Sequence, residues 1–466
     1  MQIPILNGIY TDQKSDFRTS YPRNYVPVPK EQGISKGYLR PASGLTKFGE
    51  GPGIDRGGIN WNGIYYRVMG TSLVSISATG VPKILGDIPG IDQVVFSYSF
   101  DRLAIVANKK LFYYDGSEVT QVTDTDLGKV LDMTWVDGYF MTTDGEFLVV
   151  TELNDPYAVN PLKYGSSEID PDPIQRILKL RNEIHALNRY TTEVFNNVGG
   201  DFFPFQRVDG AQIMKGCIGN RAATIIGDVI VFVGSGRNEP PAVYIMQAGS
   251  SAKISTREID EILLTYSEKS LSTILMESRI DRGHQFVYIH LPDRTLVYDL
   301  ASTQELDEPC WFVLTSGLGE TGIYRARNYV YCYDKWLCAD PITKNHGYLD
   351  DKVSTHYGEP ISWDFSTQIV YNNSKGAIFH SLELVVLPGR SVVGADTTVW
   401  TQFSLDGMSW SQRFDTSSGK IGSRDSRVAW FQQGFMENWR IQKFGGTSGS
   451  HMSVARLEAE LEPLSV

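Results

Sequence analysis

The sequence has little cysteine, which excludes a disulfide-bonded scaffold and the common zinc-binding patterns. It holds four cysteines in 466 residues, and no two of them form a C-x-x-C pair. The closest two, Cys332 and Cys338, are six residues apart, with no histidine pair at metal-ligand spacing nearby. We therefore expect buried thiols, no metal site and no cofactor.

Long hydrophobic runs are missing as well. No stretch of about 18 apolar residues occurs, so the sequence offers no helix that could span a membrane. The first eight residues, Met1 to Gly8, have neither the positive charge nor the apolar run of a signal peptide. We expect a chain that folds in a cytoplasm and does not insert into a membrane.

Positive charge is in deficit. The chain has 43 Lys and Arg residues against 54 Asp and Glu residues, a net charge of −11. A surface that grips duplex DNA needs clustered Lys and Arg, so the balance disfavours a nucleic-acid-binding protein. It is compatible with an acidic wall past which DNA slides, because like charge repels the phosphate backbone.

Catalytic motifs are also absent. The Gly-rich stretches Gly49–Gly53 and Gly234–Gly236 do not fit a phosphate-binding loop, and no G-x-S-x-G elbow accompanies the seven histidines. Ser404–Trp410 comes near the sialidase Asp-box but lacks one residue of it and occurs once. We identify no catalytic residue and expect no enzymatic activity.

What the sequence does contain is a recurring pair of short apolar runs joined by a tight turn. Hydrophobic residues make up 41% and aromatic residues 12% of the chain, enough for a sizeable core. Strand-rich repeats of about 40–50 residues are typical of β-propeller blades, and these turns are about 44 residues apart on average. The seven turns lie at Gly70, Lys109, Asp144, Arg189, Gly236, Asp293 and Asp334.

The pattern predicts a mainly β protein in three parts. Residues 1–60, rich in Gly, Pro and Tyr, indicate an extended N-terminal arm, and the Pro-rich Tyr25–Pro29 excludes a helix or a central strand. Residues 61–350 indicate a β-propeller-like body of six or seven blades, with short helical insertions near 173–181 and 255–266. Residues 359–466 indicate a C-terminal β-sandwich.

Tryptophans crowd the last of these parts. Most should pack in the core, but an exposed Trp beside an Arg is typical of a protein interface. The best such group comprises Arg427, Trp430, Trp439 and Arg440.

The arm carries a string that resembles a known family. It reads YPRNYVP from Tyr21 and SKGYLRPASGLT from Ser35. It resembles the start of the packaged-DNA stabilisation proteins, the tail hub or nozzle subunits of short-tailed bacteriophages, with their G-Y-L-R and G-[IL]-T-K stretches. Ser43 stands where the family usually has Pro. Later stretches at 254–256, 283–288 and 295–300 are similar to such proteins too.

The resemblance implies a structural virion protein of the phage tail, assembled in the host cytoplasm. Such hubs form a six-fold ring below the portal and its adaptor ring, extend the DNA channel and help to retain the packaged DNA. They hold the tail needle or plug and the tailspikes, while DNA passes through the lumen without tight binding. We expect the arm around Tyr25, Tyr38 and Arg40 to bind the adaptor ring or a neighbouring hub.

A second interpretation stays open. Propellers and Trp-rich sandwiches often handle sugars, so the chain could be a carbohydrate-binding or glycan-cleaving β-propeller. Glycosidases need two carboxylates at a set separation, which a sequence does not reveal. That interpretation predicts paired carboxylates in a pocket and an exposed Trp platform.

Overall fold

The computed structural model describes residues 1–11, 16–30, 35–153, 155–200, 202–247, 249–373, 375–387, 397–420, 422–423 and 425–464. They form two compact units. The first contains residues 1–46, 293–324 and 350–466, and the second contains residues 47–292 and 325–349. Nearly all regular structure in both is antiparallel β-sheet, as the sequence predicts.

The N-terminal segment is built of short strands. Two of them, β2 and β3, pair with each other, and the last, β6, lies across the boundary of the two units. The strands are β1 (Gln2–Ile3), β2 (Gly8–Thr11), β3 (Phe17–Ser20), β4 (Tyr25–Pro29), β5 (Gly37–Pro41) and β6 (Gly44–Glu50).

The chain then forms seven successive groups of strands, in agreement with the six or seven blades expected. The first three groups are β7 (Asp55–Trp61), β8 (Ile64–Met69), β9 (Ser72–Ile76) and β10 (Pro82–Asp87); β11 (Val95–Tyr98), β12 (Leu103–Ala107), β13 (Lys110–Tyr114) and β14 (Val119–Gln121); and β15 (Asp132–Val136), β16 (Tyr139–Thr143), β17 (Phe147–Glu152) and β18 (Asp155–Ser166). A 3-10 helix, Thr125–Leu127, precedes β15.

The fourth and fifth groups complete five full sheets in the second unit. They are β19 (Ile174–Leu180), β20 (Glu183–Asn188), β21 (Thr192–Asn197) and β22 (Phe205–Arg207); and β23 (Gly216–Cys217), β24 (Ala223–Ile226), β25 (Val229–Ser235), β26 (Ala242–Gln247) and β27 (Ser250–Lys253). Two helices follow, α1 (Arg257–Leu264) and α2 (Glu268–Leu271).

The sixth and seventh groups are divided between the units. In the second unit β28 pairs with β29, β32 pairs with β33 and β33 pairs with β34; in the first unit β30 pairs with β31. The elements are β28 (Leu275–Asp281), β29 (His284–His290), β30 (Thr295–Asp299), α3 (Leu300–Leu306), β31 (Trp311–Leu314), β32 (Arg327–Cys332), β33 (Lys335–Ala339) and β34 (Asn345–Asp350).

Turn chemistry explains the hairpins. Asp137 and Gly138 join β15 to β16, and Asn62 and Gly63 join β7 to β8, all four with positive φ. Such pairs suit the primed turns whose twist matches that of the flanking strands. Each of the seven turns expected from the sequence falls between two strands.

The innermost strand of each group contacts the innermost strand of the next, and β32 contacts β7, which closes a seven-membered ring. Hydrophobic clusters lie between successive sheets; Val68 and Leu73 of the first sheet, for example, pack with Leu103 and Ile105 of the second. The seven innermost strands of a seven-bladed β-propeller therefore all lie in the second unit. They are β7, β11, β15, β19, β24, β28 and β32.

One predicted helix is wrong and another is confirmed. Residues near 173–181 form the strand β19, because Ile174, Ile177 and Leu178 are buried against neighbouring sheets on both faces. A strand that is covered on both faces shows no alternation of apolar and polar residues. The spacing of the apolar residues in β19 therefore resembles that of a helix. The helix predicted at 255–266 is α1, but Thr256 rather than Ser255 caps it.

The C-terminal part forms a β-sandwich, as expected. Its strands are β35 (Ser362–Ser366), β36 (Val370–Tyr371), β37 (Ala377–Val386), β38 (Thr398–Ser404), β39 (Phe414–Ser417), β40 (Val428–Phe431), β41 (Phe435–Met436), β42 (Trp439–Thr447) and β43 (Val454–Pro463), with a 3-10 helix at Ser448–Ser450. One sheet has the order β4-β5-β43-β37-β40, with β1 on β43 and β41 on β37. The other has the order β35-β42-β38-β39, with β36 on β42.

The structure differs here from the predicted extended arm. Strands β1, β4 and β5 belong to the first sandwich sheet, and β7 belongs to the first propeller sheet. The two prolines of β4 sit on the edge of the sheet, where a missing N–H is tolerated. Residues 12–15 and 31–34 of the predicted arm lie outside the described residues.

Candidate interaction surface

Tyr25, the first residue expected to bind a partner, is buried in the sandwich core. Its hydroxyl donates a 2.8 Å hydrogen bond to the carbonyl oxygen of Met452. Its ring meets the ring of Trp363 edge-on at 5.2 Å between centroids. Burial holds the pKa of Tyr25 well above its usual value. Tyr25 therefore fixes β4 to the C-terminal strands and offers no surface in this chain.

Tyr38 and Arg40 lie on the neighbouring strand β5 and are partly exposed. The guanidinium Nη1 of Arg40 is 3.8 Å from Oδ2 of Asp351, a distance that leaves most of its hydrogen-bonding capacity unused. These two side chains remain accessible, so their role in docking stays a prediction.

The predicted group Arg427, Trp430, Trp439 and Arg440 does not form one surface. Trp430 is buried, with its indole N–H donating to the carbonyl oxygen of Phe414 at 2.8 Å. Arg427 is exposed and pairs with Glu383, Nε to Oε1, at 2.9 Å. Only Arg427 and Trp439 of this group can therefore meet a partner.

Arg440 is fully buried between two aromatic rings. Its guanidinium carbon lies 4.2 Å from the ring centroid of Phe379 and 3.9 Å from that of Phe403. It donates to Oε1 of Gln442 at 3.0 Å and to the carbonyl oxygen of Gln433 at 2.6 Å. Burial lowers the pKa of Arg440 to about 9. Arg440 is thus a core residue held by cation–π contacts.

Trp439 is half-buried and lies near three exposed aromatic residues. We call these four residues the aromatic corner. Its ring lies 6.2 Å from the ring of Phe17, edge to face, and its backbone is directly opposite Tyr371 in the sheet. Phe435 lies four residues before Trp439, the first residue of β42, across the short turn 437–438. The aromatic corner comprises Phe17, Tyr371, Phe435 and Trp439.

A shallow, open cavity of about 470 Å³ lies beside Phe435. Its lining includes Ile378, Phe379, His380, Phe435 and Leu464 and is mainly apolar. Large exposed aromatic residues next to an apolar cavity are typical of protein-binding surfaces. Sequence reasoning missed Phe17, Tyr371 and Phe435, because an aromatic residue in a short strand looks the same whether it faces the core or solvent.

The described residues give little support to an enzymatic site. They hold no group of three or more His, Cys, Asp or Glu residues placed to bind a metal ion. All four cysteines are buried and unbonded. Asp406, in the stretch that resembles an Asp-box, accepts the backbone N–H groups of Met408 and Ser409 in its own turn. In the part of the chain that is described, no helix is long and apolar enough to cross a membrane.

Comparison with known proteins assigns both halves of the chain to one family. Residues 1–354 match the family model described as bacteriophage P22 Gp10, beta-propeller, and residues 362–462 match that described as bacteriophage P22 Gp10, beta-sandwich. Among curated proteins, the tail hub protein gp10 of Salmonella phage P22 is 29% identical over 378 residues, which cover 76% of this chain and 78% of that protein.

Solved structures show weaker likenesses. The Pan2 WD40 domain of Neurospora crassa is 10% identical with a TM-score of 0.40, covering 66% of this chain and 95% of its own. The extracellular domain of a hybrid two-component system from B. thetaiotaomicron is 8% identical with a TM-score of 0.44, covering 91% of this chain and 65% of its own. No functional argument follows from either.

Proposed function

The chain belongs to the family of bacteriophage P22 Gp10, and from this we infer that it is a tail hub protein, a structural component of a phage tail rather than an enzyme. The observation that carries the inference is the match of both the propeller and the sandwich, residues 1–354 and 362–462, to models of that family. A curated relative of similar length is itself a tail hub protein.

The finer role follows from what a hub must do. We propose that copies of this chain form a ring, six-fold in the family expectation, beneath the portal adaptor ring. The ring extends the DNA channel, helps to retain packaged DNA and carries the needle or plug and the tailspikes. The net charge of −11 supports this role, because an acidic lumen repels the phosphate backbone and lets DNA pass without sticking.

The aromatic corner is the surface that best suits a protein partner in the tail. A few residues, most often Trp, Tyr and Arg, supply most of the binding energy at protein interfaces, and Phe is enriched there as well. Phe435 is 55% exposed and stands beside an apolar cavity. We propose that this corner contacts another tail component or a second copy of the hub.

Docking through the N-terminal segment now rests on Tyr38 and Arg40. Removal of residues 1–45 would take β1, β4 and β5 out of the sandwich sheet, so such a truncation would perturb folding as well as docking. Point substitutions at Tyr38 and Arg40 separate the two effects, because both side chains are partly exposed.

The experiment that tests the proposed function is genome retention. Phage particles lacking this protein are treated with nuclease, and the encapsidated DNA is quantified against wild-type particles. Leakage of DNA together with shortened tails in electron micrographs supports the hub. Full retention with normal tails but poor attachment to cells would overturn it and favour the carbohydrate-binding propeller.

A further inference from the structure

Charged residues gather at one end of the propeller, the end at which the innermost strands begin. We call this end the entry face. The strands of a blade are antiparallel and occupy four positions from the inside to the outside. Because four is an even number, the chain returns to its starting face at the end of each blade, and every innermost strand begins at that face. Six of the seven strands carry a charged side chain at or near that point, and the seventh, β11, is preceded there by the carbonyl of Val94. The charged residues are Asp55, Asp132, Arg176, Arg221, Glu277 and Arg327.

The first two carboxylates are already engaged. Asp55 accepts two hydrogen bonds from the guanidinium of Arg67, at 2.6 and 2.8 Å, and one from Nδ2 of Asn328 at 2.7 Å. Asp132 accepts the backbone N–H of Ile177 at 2.7 Å. Both carboxylates are buried, so these bonds satisfy groups that would otherwise be costly to desolvate.

The third carboxylate is engaged in the same way. Glu277 accepts the backbone N–H of Asn328 at 2.8 Å and that of Tyr329 at 2.7 Å, one on each oxygen. Its orientation is therefore set by the backbone of the seventh blade and by Nε2 of His290, 2.9 Å from its Oε1, and it is not free to turn toward an arginine.

The arginines are not matched in this way. Arg176 shares one nitrogen, Nη1, between Asp132 at 3.2 Å and the carbonyl oxygen of Asn220 at 3.0 Å, and its Nε has no hydrogen-bond partner. Arg221 donates across the ring to the carbonyl oxygen of Val94. Burial and the charge of Arg176 lower the pKa of Arg221 to about 10.

Arg327 has even less support. Its Nε has no hydrogen-bond partner, and Glu277 is the acidic charge near it. Within the described parts of the chain, neither Arg221 nor Arg327 has a carboxylate at ion-pair distance. Among these six residues, three guanidinium groups thus accompany two carboxylates, since Asp55 is paired with Arg67, and one guanidinium lacks a carboxylate partner.

We propose that the entry face of the propeller binds an oxyanion, a phosphate or a carboxylate, between Arg176, Arg221 and Arg327. The planar guanidinium forks match the paired oxygens of both groups, and partial burial strengthens each charge-assisted bond. An anion at this point also relieves the repulsion between Arg176 and Arg221. The site lies within the propeller and is independent of the proposed role in the phage tail.

Binding of inorganic phosphate to the full-length chain tests the proposal. Phosphate titrated at constant ionic strength, with chloride as the balancing anion, should raise the Tm by an amount that grows with the logarithm of the phosphate concentration above the apparent Kd. Arg221→Gln and Arg327→Gln should each weaken the apparent Kd for phosphate by about tenfold or more, in line with the loss of one charge-assisted contact. Acetate in place of phosphate distinguishes the two sources: a response equal to that of phosphate indicates a carboxylate ligand, and a much weaker one indicates a phosphate.

Two controls keep the result interpretable. Arg181→Gln removes an exposed arginine after the end of β19, at the opposite face of the propeller, and should leave phosphate binding unchanged. If Arg221→Gln fails to fold, as judged by circular dichroism, Arg327→Gln carries the test alone. The proposal is overturned if neither anion shifts the Tm beyond chloride, or if the folded variants bind phosphate as the wild type does.

Discussion

Arg23 and Asp364, 341 residues apart in sequence, form an ion pair that ties the N-terminal segment to the sandwich. Nε of Arg23 donates to Oδ2 of Asp364 at 2.8 Å, and the two side chains are only 9% and 14% exposed. Arg23 also donates to the carbonyl oxygen of Gly319 and to the hydroxyl of Ser362. The pair therefore belongs to a buried network rather than to the surface.

Arg23→Ala should destabilise the sandwich unit strongly. Removal of one partner leaves a buried carboxylate without its counter-charge, which costs about 3 kcal/mol in the free energy of unfolding. Urea denaturation followed by tryptophan fluorescence measures it. Arg427→Ala is the matched control, since Arg427 is 68% exposed in its pair with Glu383 and should change the midpoint little. Equal midpoints for both variants would contradict the network.

Phe435→Ser should weaken tail assembly while leaving the fold intact. The side chain is exposed, so its loss removes little core packing, but truncation of an aromatic interface anchor commonly lowers affinity by about tenfold or more. The measurement is the amount of hub per virion after complementation of a deletion phage, by quantitative mass spectrometry. Tyr164→Ser, at a site 51% exposed on β18, is the control. Wild-type incorporation of the Phe435 variant would remove the aromatic corner as a contact.

Acid should destabilise the sandwich through His451. Its Nε2 lies 2.8 Å from the carbonyl oxygen of Asn24, and burial lowers its pKa from 6.5 to about 3. The unfolded chain therefore takes up a proton at a higher pH than the folded one. The free energy of unfolding should fall as the pH drops from about 6.5 to about 3, by about 1.4 kcal/mol per pH unit for this group, and level off below that range.

Denaturation of His451→Gln over the same pH range checks this. The variant should show a shallower loss of stability on acidification, although it starts lower because a ring stacked on Trp363 is gone. The variant keeps His185 and His346, whose pKa values burial lowers to about 4, so the propeller should still lose stability at acidic pH. An unchanged slope for the sandwich transition would show that His451 does not control it.

Asn328→Ala should weaken the closure of the propeller. The substitution removes the donor to Oδ2 of Asp55 between the seventh and first blades and to Oε1 of Gln93, and it places Ala at a φ of 56°. Loss of such a buried bond costs about 2 kcal/mol, and the strained φ adds to it. Asn60→Ala is matched to it, because Asn60 Nδ2 also bridges these blades, to the carbonyl oxygen of Tyr331, but at an exposed position. Hydrogen exchange in β7 and β32 measures the opening. The prediction fails if both variants exchange at the same rate.

The repeating hairpins could be predicted from the sequence because their signals are local. Asp144 and Gly145 mark a turn by themselves, and seven such turns at similar spacing define the propeller. The strand β19 could not be predicted in the same way, since Ile177 and Leu178 are both buried by sheets distant in sequence. Tertiary burial there overrides the periodicity on which the helix prediction rested.

The candidate surface was harder to predict for a related reason. Tyr25 and Arg440 have the residue types of interface anchors, yet their partners, Met452, Phe379 and Phe403, fill the core of the sandwich. Nothing near Tyr25 in sequence signals a partner 427 residues away. The residue types were therefore enough to predict a protein-binding function. Which of these residues are exposed depends on contacts between segments far apart in the sequence, so it could not be predicted.

The hydrogen bond between Asp55 and Asn328, which joins the first and last blades, can form only late in the synthesis of the chain. At roughly 5–20 residues per second, the ribosome needs roughly 14–55 s to make the 273 residues that separate them. Throughout that interval β7 is without β32, the innermost strand of the last blade, which packs against it in the finished ring. The first blade of the nascent chain thus lacks its last neighbour during most of the synthesis. In this period a chaperone can protect that blade most effectively, and a premature contact between two nascent chains is most damaging.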